Sequence, residues 1–408
     1  TPYFLPPISY PLFPTPYFLP PISYPLFPTP MHILWLDPFH GGSHAAVAAG
    51  YAARSAHQVT LLTLPTTGGW RWRMRGGAVT LARLALALPQ RPDLIVASDM
   101  LDLATFRALT SPQFAGIPAL AYFHENQLTY PLPAGRQRDL SFAWINYTTA
   151  LVADGLLFNS AFHRQEFLAA LPGLLGRYHD FRELETLPCI AAKSEVLPPG
   201  IDLAALDGPE EADALTGPPV ILWNARWDYD KQPGVFFAAL EHLAAQGVDF
   251  GLIVVGEQID PRDASYLAAK ARWAAQTLHW GYAPTRASYG ALLRRSALVV
   301  STAIQEFFGI GVLEAMYCGC APVLPNRLNY PALLPSELHA AWLYTGDAED
   351  LAETLAHALI RCRSVPRRTW RKLAERYDWA QLVVHYDPLL GKYGSGSTHL
   401  DTPNHAPV

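Results

Sequence analysis

The hydrophobic pattern along the chain alternates between two periods. Short apolar runs at 32–36, 59–62, 94–98, 119–123 and 155–159 read as buried strands bounded by turn residues. Stretches of helical periodicity lie between them. Residues 44–56 are small and apolar, as in a helix packed closely on a sheet. A second series of strands follows at 220–224, 251–256, 278–281 and 297–301. Strands alternating with helices predict parallel sheets covered on both faces. Between the two series lies Val196-Leu197-Pro198-Pro199-Gly200-Ile201-Asp202, whose prolines and glycine read as a hinge. The expected fold class is α/β, with two doubly wound, Rossmann-like domains facing a central cleft. Ligands bind such sheets at the carboxyl ends of their strands. Amphipathic terminal helices are expected over 366–390, around Trp370, Tyr377 and Trp379.

Composition changes the picture chiefly at the ends. Residues 1–28 are Thr-Pro-Tyr-Phe-Leu-Pro-Pro-Ile-Ser-Tyr-Pro-Leu-Phe-Pro written twice. Prolines this dense forbid helix and interrupt sheet ladders. The repeat has no Lys or Arg, which fits a signal peptide poorly, so the natural start is expected at Met31. The expected partition is a Pro-rich segment at 1–30, a first domain at 31–200, a second at 201–375, a terminal helix at 376–390 and a disordered tail at 391–408. A net charge of −5 argues against non-specific coating of nucleic acid but leaves room for a local basic patch. No apolar run reaches the roughly 18 residues of a membrane span, so no membrane association is expected. Cys189, Cys318, Cys320 and Cys362 show neither disulfide-framework nor zinc-ligand spacing, and read as free thiols in a reducing, cytoplasmic setting.

Candidate chemistry concentrates in the second series. Residues 306–314 read Glu306-Phe307-Phe308-Gly309-Ile310-Gly311-Val312-Leu313-Glu314. One acid falls in the loop after a strand and the other one to two turns into the next helix. Gly309 and Gly311 let backbone approach a ligand closely, and amides at a helix start favour phosphate. Upstream, Arg226 and Lys231 follow a strand in Asn224-Ala225-Arg226-Trp227-Asp228-Tyr229-Asp230-Lys231. Guanidinium forks onto phosphate oxygens, and ammonium adds a compact charge.

This combination resembles the retaining family 4 glycosyltransferases of the GT-B fold, with Ala225 where that family usually carries glycine. The resemblance implies a nucleotide-sugar donor and a terminal helix that crosses back to the first domain. Arg226 and Lys231 would meet the pyrophosphate and Glu306 the sugar hydroxyls. The N–H groups of Phe308, Gly309 and Ile310 would face the sugar and distal phosphate, and Glu314 would hold the ribose. Gly281 and Tyr282 would lie near the base, and Gly41 and Gly42 would cradle a phosphate or acceptor group. His124, after the strand at 119–123, matches the family's cleft histidine and joins Glu306, Arg226 and Lys231 as the catalytic set. No Asp-x-Asp metal motif is evident in a donor loop, so neither metal nor other cofactor is expected beyond the donor itself. No pair of carboxylates is identifiable for glycosidase-type double displacement. Same-face transfer with retention, the departing phosphate taking the acceptor proton, is the expected mechanism.

Several strings in the first domain narrow the match. Gly41-Gly42-Ser43-His44, Trp70-Arg71-Trp72-Arg73-Met74-Arg75, His124-Glu125-Asn126-Gln127-Leu128-Thr129-Tyr130-Pro131 and Phe158-Asn159-Ser160-Ala161-Phe162 are similar to those of the tRNA-queuosine mannosyltransferases. That resemblance implies GDP-mannose as donor and tRNA carrying queuosine as partner. It assigns His44, Trp70, Arg71, Trp72, Arg73, Glu125, Asn126, Asn159 and Ser160 to the acceptor. Alternating tryptophan and arginine at 70–75 supplies the stacking planes and cations by which unpaired bases are held. A second basic cluster runs from Arg361 to Arg376. Three other readings stand beside this one: a family 4 enzyme acting on a lipid-linked or carbohydrate acceptor, a nucleotide-sugar epimerase, and a non-catalytic protein that binds tRNA or nucleotide sugar.

Overall fold

The computed structural model describes residues 30–133, 135–209, 217–258, 260 and 262–394. The tandem repeat at 1–28 and residues 395–408 lie outside the described residues. Two six-stranded parallel sheets form the frame. The first comprises β1 (His32–Asp37), β2 (Gln58–Thr63), β3 (Leu94–Ser98), β4 (Ala119–Phe123), β5 (Gly155–Phe158) and β6 (Ser194–Val196). Its order is β2-β1-β3-β4-β5-β6. The second comprises β7 (Val220–Asn224), β8 (Gly251–Val255), β9 (Thr277–Gly281), β10 (Leu298–Val300), β11 (Ala321–Pro325) and β12 (Leu343–Tyr344), in the order β12-β11-β10-β7-β8-β9.

Helices follow the strands. The first domain carries α1 (Gly42–Ala52), α2 (Trp70–Leu86), α3 (Leu103–Thr110), α4 (Leu140–Val152), α5 (Ala161–Leu175) and α6 (Leu187–Ala192). The second carries α7 (Pro233–Ala245), α8 (Ala264–Arg272), α9 (Arg286–Arg295), α10 (Ile310–Tyr317), α11 (Tyr330–Leu333), α12 (His339–Trp342) and α13 (Ala348–Arg361), and the chain then ends in α14 (Arg367–Glu375) and α15 (Trp379–Gly394). Strands β1, β3, β4 and β5 are buried along their whole length, because helices cover both faces of the sheet. These are two Rossmann-like α/β domains with a central cleft, the GT-B arrangement. Helix α15 packs its buried Trp379, Tyr386 and Leu390 with Trp35, Tyr51 and Leu94 of the first domain. It continues as helix to Gly394 with Pro388 inside it, so residues 391–394 belong to the helix and not to the expected disordered tail.

The sheet orders decide where ligands can enter. Strand order reverses between β1 and β3 in the first sheet and between β7 and β10 in the second. Neighbouring connections there leave to opposite faces, which opens a crevice at the carboxyl ends. The first crevice is flanked by Asp37 and Asp99, the second by Asn224 and Ser301.

Candidate active site

A cavity of about 150 Å³ occupies the second crevice. Asn224, Lys231, Thr302, Glu306, Gly311 and Tyr330 are among its lining residues. Asp228 accepts the Tyr229 N–H at 2.8 Å and starts the short turn Tyr229–Lys231, and Gln232 at φ +50° ends it, so Lys231 is turned inward. The Thr302 hydroxyl donates to the Lys231 carbonyl at 2.6 Å and ties that turn to β10. Lys231 Nζ then reaches the Gln305 carbonyl at 2.7 Å, Asp230 Oδ2 at 3.3 Å and Glu306 Oε2 at 3.5 Å. Arg226 is 46% exposed at its side chain and does not line the cavity. It stands 3.6 Å from Asp228 and 3.9 Å from Asp230.

The 306–314 segment builds the opposite wall. Glu306 Oε1 accepts the N–H groups of Phe308 at 3.4 Å and Gly309 at 3.1 Å. A carboxylate held by consecutive amides marks this loop as an anion cradle. Gly309 takes φ +107°, and no side chain caps α10, so the amides of the first turn, Ile310 included, keep their donor capacity toward the loop. Glu314 is buried on α10. Its oxygens meet Arg286 at 2.7 Å and the Tyr289 hydroxyl at 2.7 Å. Asn224 donates to Tyr289 at 2.7 Å and to the Gly311 carbonyl at 2.9 Å, which holds α9, β7 and α10 together. Gly281 takes φ +123° at the end of β9, and Tyr282 beyond it is exposed.

The first crevice holds a buried cluster of imidazoles and carboxylates. Asp37, at the end of β1, accepts from His40 at 2.9 Å and Ser98 at 3.1 Å, and lies 3.6 Å from His44. His44 sits on α1, whose start carries Gly41 and Gly42, the latter at φ +53°. The ring of His44 stacks on His124 with centroids 4.0 Å apart. The backbone N–H of His124 donates to Asp99 Oδ1 at 2.8 Å. Burial opposes ionisation of Asp37, but the His40 hydrogen bond and the nearby His44 outweigh it and hold the carboxyl well below its ordinary range. Burial likewise opposes charge on His44, yet Asp37, Asp99 and Glu125 raise it to about 9. Burial and the His44 charge push His124 well down. Two stacked rings are thereby differentiated, one cationic and one neutral. Burial pushes Asp99 and Glu125 up, and the charges of His44 and Arg226 pull Glu125 back.

The two faces meet through specific contacts. Tyr130 donates to Asp230 at 3.3 Å, and Tyr229 donates to the Pro131 carbonyl at 2.7 Å. Ser160 donates to the Phe307 carbonyl at 2.6 Å while capping α5, and His163 stacks on Phe307 at 3.8 Å. Asn126 is fully buried and folds its own loop, accepting from Leu128 and Thr129. Asn159 donates to the His124 carbonyl at 2.8 Å and meets His163 at 2.8 Å. Both asparagines thus shape the loop around His124. Glu125 accepts from Gln127 at 3.1 Å.

The 70–75 string opens α2. Trp70 packs on Phe142 at 5.0 Å with Arg71 over its ring at 4.6 Å. Trp72 is 64% exposed, and Arg73 donates to the Thr67 carbonyl at 2.6 Å. The basic cluster at 361–376 is largely spent on structure. Arg361, Arg363, Arg367 and Arg376 donate to backbone carbonyls, and Arg371 pairs with Asp207 and Glu375.

Residues 32–201 match the family described as tRNA-queuosine alpha-mannosyltransferase N-terminal, and residues 209–372 match Glycosyl transferases group 1. The tRNA-queuosine alpha-mannosyltransferase of Drosophila melanogaster is 31% identical over 316 residues, covering 75% of this chain and 82% of the relative. The chain belongs to the tRNA-queuosine alpha-mannosyltransferase family. A GDP-mannose:cellobiosyl-diphosphopolyprenol alpha-mannosyltransferase of Xanthomonas oryzae pv. oryzae is 24% identical over 200 residues, 48% of this chain and 52% of that protein. In fold, a glycosyltransferase from Rickettsia africae ESF-5 matches with a TM-score of 0.67 at 14% identity, over 90% of this chain and 99% of its own. The catalytic domain of starch synthase IV from Arabidopsis thaliana matches with a TM-score of 0.67 at 12% identity, over 90% and 100%. This is a glycosyltransferase-type chain of the nucleotide-sugar-dependent GT-B class.

Some site residues escaped the sequence reading. Asp37 and Asp99 end strands beside the crevice, which is a legible signal, but their importance comes from packing against His44 and His124. Arg286 carries no motif of its own and is recruited to Glu314 only because α9 and α10 lie side by side.

Proposed function

We propose that this protein transfers mannose from GDP-mannose to queuosine in a tRNA anticodon, with retention at the anomeric carbon. The observation that carries the reading is the cavity shared by Lys231 and Glu306 at the β7–β10 crevice. A diphosphate seated on Lys231 and the 308–310 amides would develop charge as the glycosidic bond breaks, and donors held there would stabilise it. Glu306 is placed to exchange its amide contacts for sugar hydroxyls. Glu314, held by Arg286 and Tyr289, would meet the ribose diol. On the facing domain His124 presents a neutral imidazole, suited to accept or donate a hydrogen bond without adding charge. The acceptor hydroxyl attacks from the side the diphosphate leaves, and the leaving phosphate oxygen takes its proton. Family membership supports the acceptor, and the named activities of the Drosophila and Xanthomonas relatives support mannose.

The test is direct. The protein is incubated with GDP-mannose and queuosine-containing tRNA, and the digested nucleosides are weighed by mass spectrometry. One added hexose on queuosine, released by an α-mannosidase, is expected. Preferential use of a UDP-sugar would remove the mannose assignment, and a β-linked product would remove the retaining mechanism.

A further inference from the structure

The loop connecting α5 to α6 presents aromatic side chains that the fold leaves in water. Phe181 is 88% exposed and Tyr178 is 44% exposed. Phe181 takes φ +42° and Glu183 takes φ +54°, a conformation that L side chains rarely adopt, so local backbone is strained in the segment that displays the ring. Tyr178 does not stand alone. It meets Trp144 of α4 edge to face at 5.7 Å, and Trp144 is itself 39% exposed. Aromatic surface on two separate elements has been gathered without being buried.

Cations flank this surface and lead back to the cleft. Arg138 donates to the carbonyls of Gln127 at 2.7 Å and Tyr130 at 2.6 Å, clasping the loop that carries His124 and Tyr130. Burial, and then the positive charge of Arg177, hold Arg138 below its ordinary value, so the two cations lie within each other's field. Among the described residues no carboxylate forms an ion pair with either. Like charges brought together without a counter-ion, next to exposed rings, suit a polyanion whose subunits carry π faces. An unpaired nucleotide run has both. The acids of the same loop, Asp180 and Glu183, make the field there weak, so stacking rather than phosphate attraction would carry most of the contact.

We infer that Trp144, Tyr178 and Phe181, with Arg138 and Arg177, form a second RNA-stacking surface that holds unpaired nucleotides flanking the one that is modified. This rests on the tRNA-acceptor reading. It adds a site on the α4–α5 side of the first domain, reached from the cleft through Arg138 and distinct from the Trp70–Arg73 string at the start of α2. Stacking on a π face tolerates any base, so the surface raises affinity for the acceptor loop without choosing its sequence.

The experiment measures binding of queuosine-containing tRNA by fluorescence anisotropy for the full-length protein and for Phe181→Ala, Trp144→Ala and Arg177→Glu. Melting curves and GDP affinity confirm that each variant is folded. The expected result is about tenfold weaker tRNA binding for Phe181→Ala and for Trp144→Ala, with GDP affinity unchanged. Arg177→Glu should weaken binding and flatten its dependence on salt. Wild-type affinity retained by all three variants would overturn this surface while leaving the tRNA reading intact. A wild-type protein that binds no tRNA would overturn both. Phe181-dependent self-association with unchanged RNA affinity would assign the patch to a second copy of the chain and overturn the proposal.

Discussion

At the scale of single residues, the shared position of Lys231 and Glu306 is the feature with the sharpest consequences. Lys231 is largely enclosed, and its ammonium is held by one carbonyl and two carboxylates, so its place is set before any ligand arrives. Removing a preorganised charge of this kind costs roughly 10²–10³-fold in turnover. Lys231→Ala is expected to lower kcat by about that factor and, because it strands the buried Asp230 carboxylate, to lower stability as well; steady-state kinetics with GDP-mannose on the folded variant would show the first, and turnover within a few-fold of wild type would contradict the role. A second consequence concerns pH. The folded value of His44, about 9, lies above its ordinary value, so its stabilising contribution is complete below pH 6.5 and is lost as pH rises through 9. The contribution is on the order of 3 kcal/mol. Asp37, held low, acts at the acid end instead, and its contribution disappears only as pH falls below the ordinary carboxylate range. The melting temperature of the wild type should therefore fall between pH 6.5 and 9 more steeply than that of His44→Gln, and parallel profiles would refute the ion pair. That the acid-glycine segment and Lys231 would share a crevice was readable in sequence, because spacing along one loop and one helix start determines their geometry; Arg226, expected beside Lys231, instead stands outside the cavity lining, near Asp228 and Asp230. Asp99, Asp230 and Arg286 were not, because each acts through a neighbour that only the folded chain brings near.

At the scale of elements, most strands of the two sheets were visible as apolar runs. β6 and β12 were not, being three and two residues long. β11 hides in Ala321-Pro322-Val323-Leu324-Pro325, where two prolines argue against a strand. It is tolerated because the ladder with β10 is short and Ala321 donates to Ala297 at its start. Connections are where element geometry matters most. Gly256, at the end of β8, faces the Ala225 carbonyl so closely that a Cβ would overlap it. Ala225 and Arg226 lead from β7 to Lys231, so a methyl group at 256 would push that whole connection. Gly256→Ala is expected to destabilise the protein by about 1–3 kcal/mol and to weaken GDP binding as well. Calorimetric titration with GDP alongside thermal melting would check this. Unchanged GDP affinity would mean that the connection relaxes without moving Lys231.

At the scale of the whole molecule, the two domains are linked twice along the chain, once through the 196–202 hinge and once through the junction of α14 and α15. These two crossings are bonded to each other: Ile201 donates to the Tyr377 carbonyl at 2.9 Å and Trp379 donates to the Ile201 carbonyl at 3.1 Å. The hinge was legible from its prolines and glycine. Its pairing with residues nearly two hundred positions later was not, since nothing local in either segment encodes the other. Trp379 closes the junction. It is 1% exposed and lies against both Gly50 of α1 and Gly200 of the hinge, where any side chain would collide with its indole. Tyr51 and Tyr386 complete the packing, with ring centroids 6.3 and 5.0 Å away. Two glycines from different elements thus make the slot that a single tryptophan fills, and the slot sits where both crossings enter the first domain. Trp379→Ala would leave that slot unfilled at a cost of roughly 3–5 kcal/mol. The loss should fall on the first domain and α15, because the core of the second domain does not include Trp379. Hydrogen exchange is expected to speed up in α1 and α15 while β7 and β8 keep their protection. Uniform acceleration across both sheets would show instead that the domains unfold as one unit and that the tryptophan does not act as a local clasp.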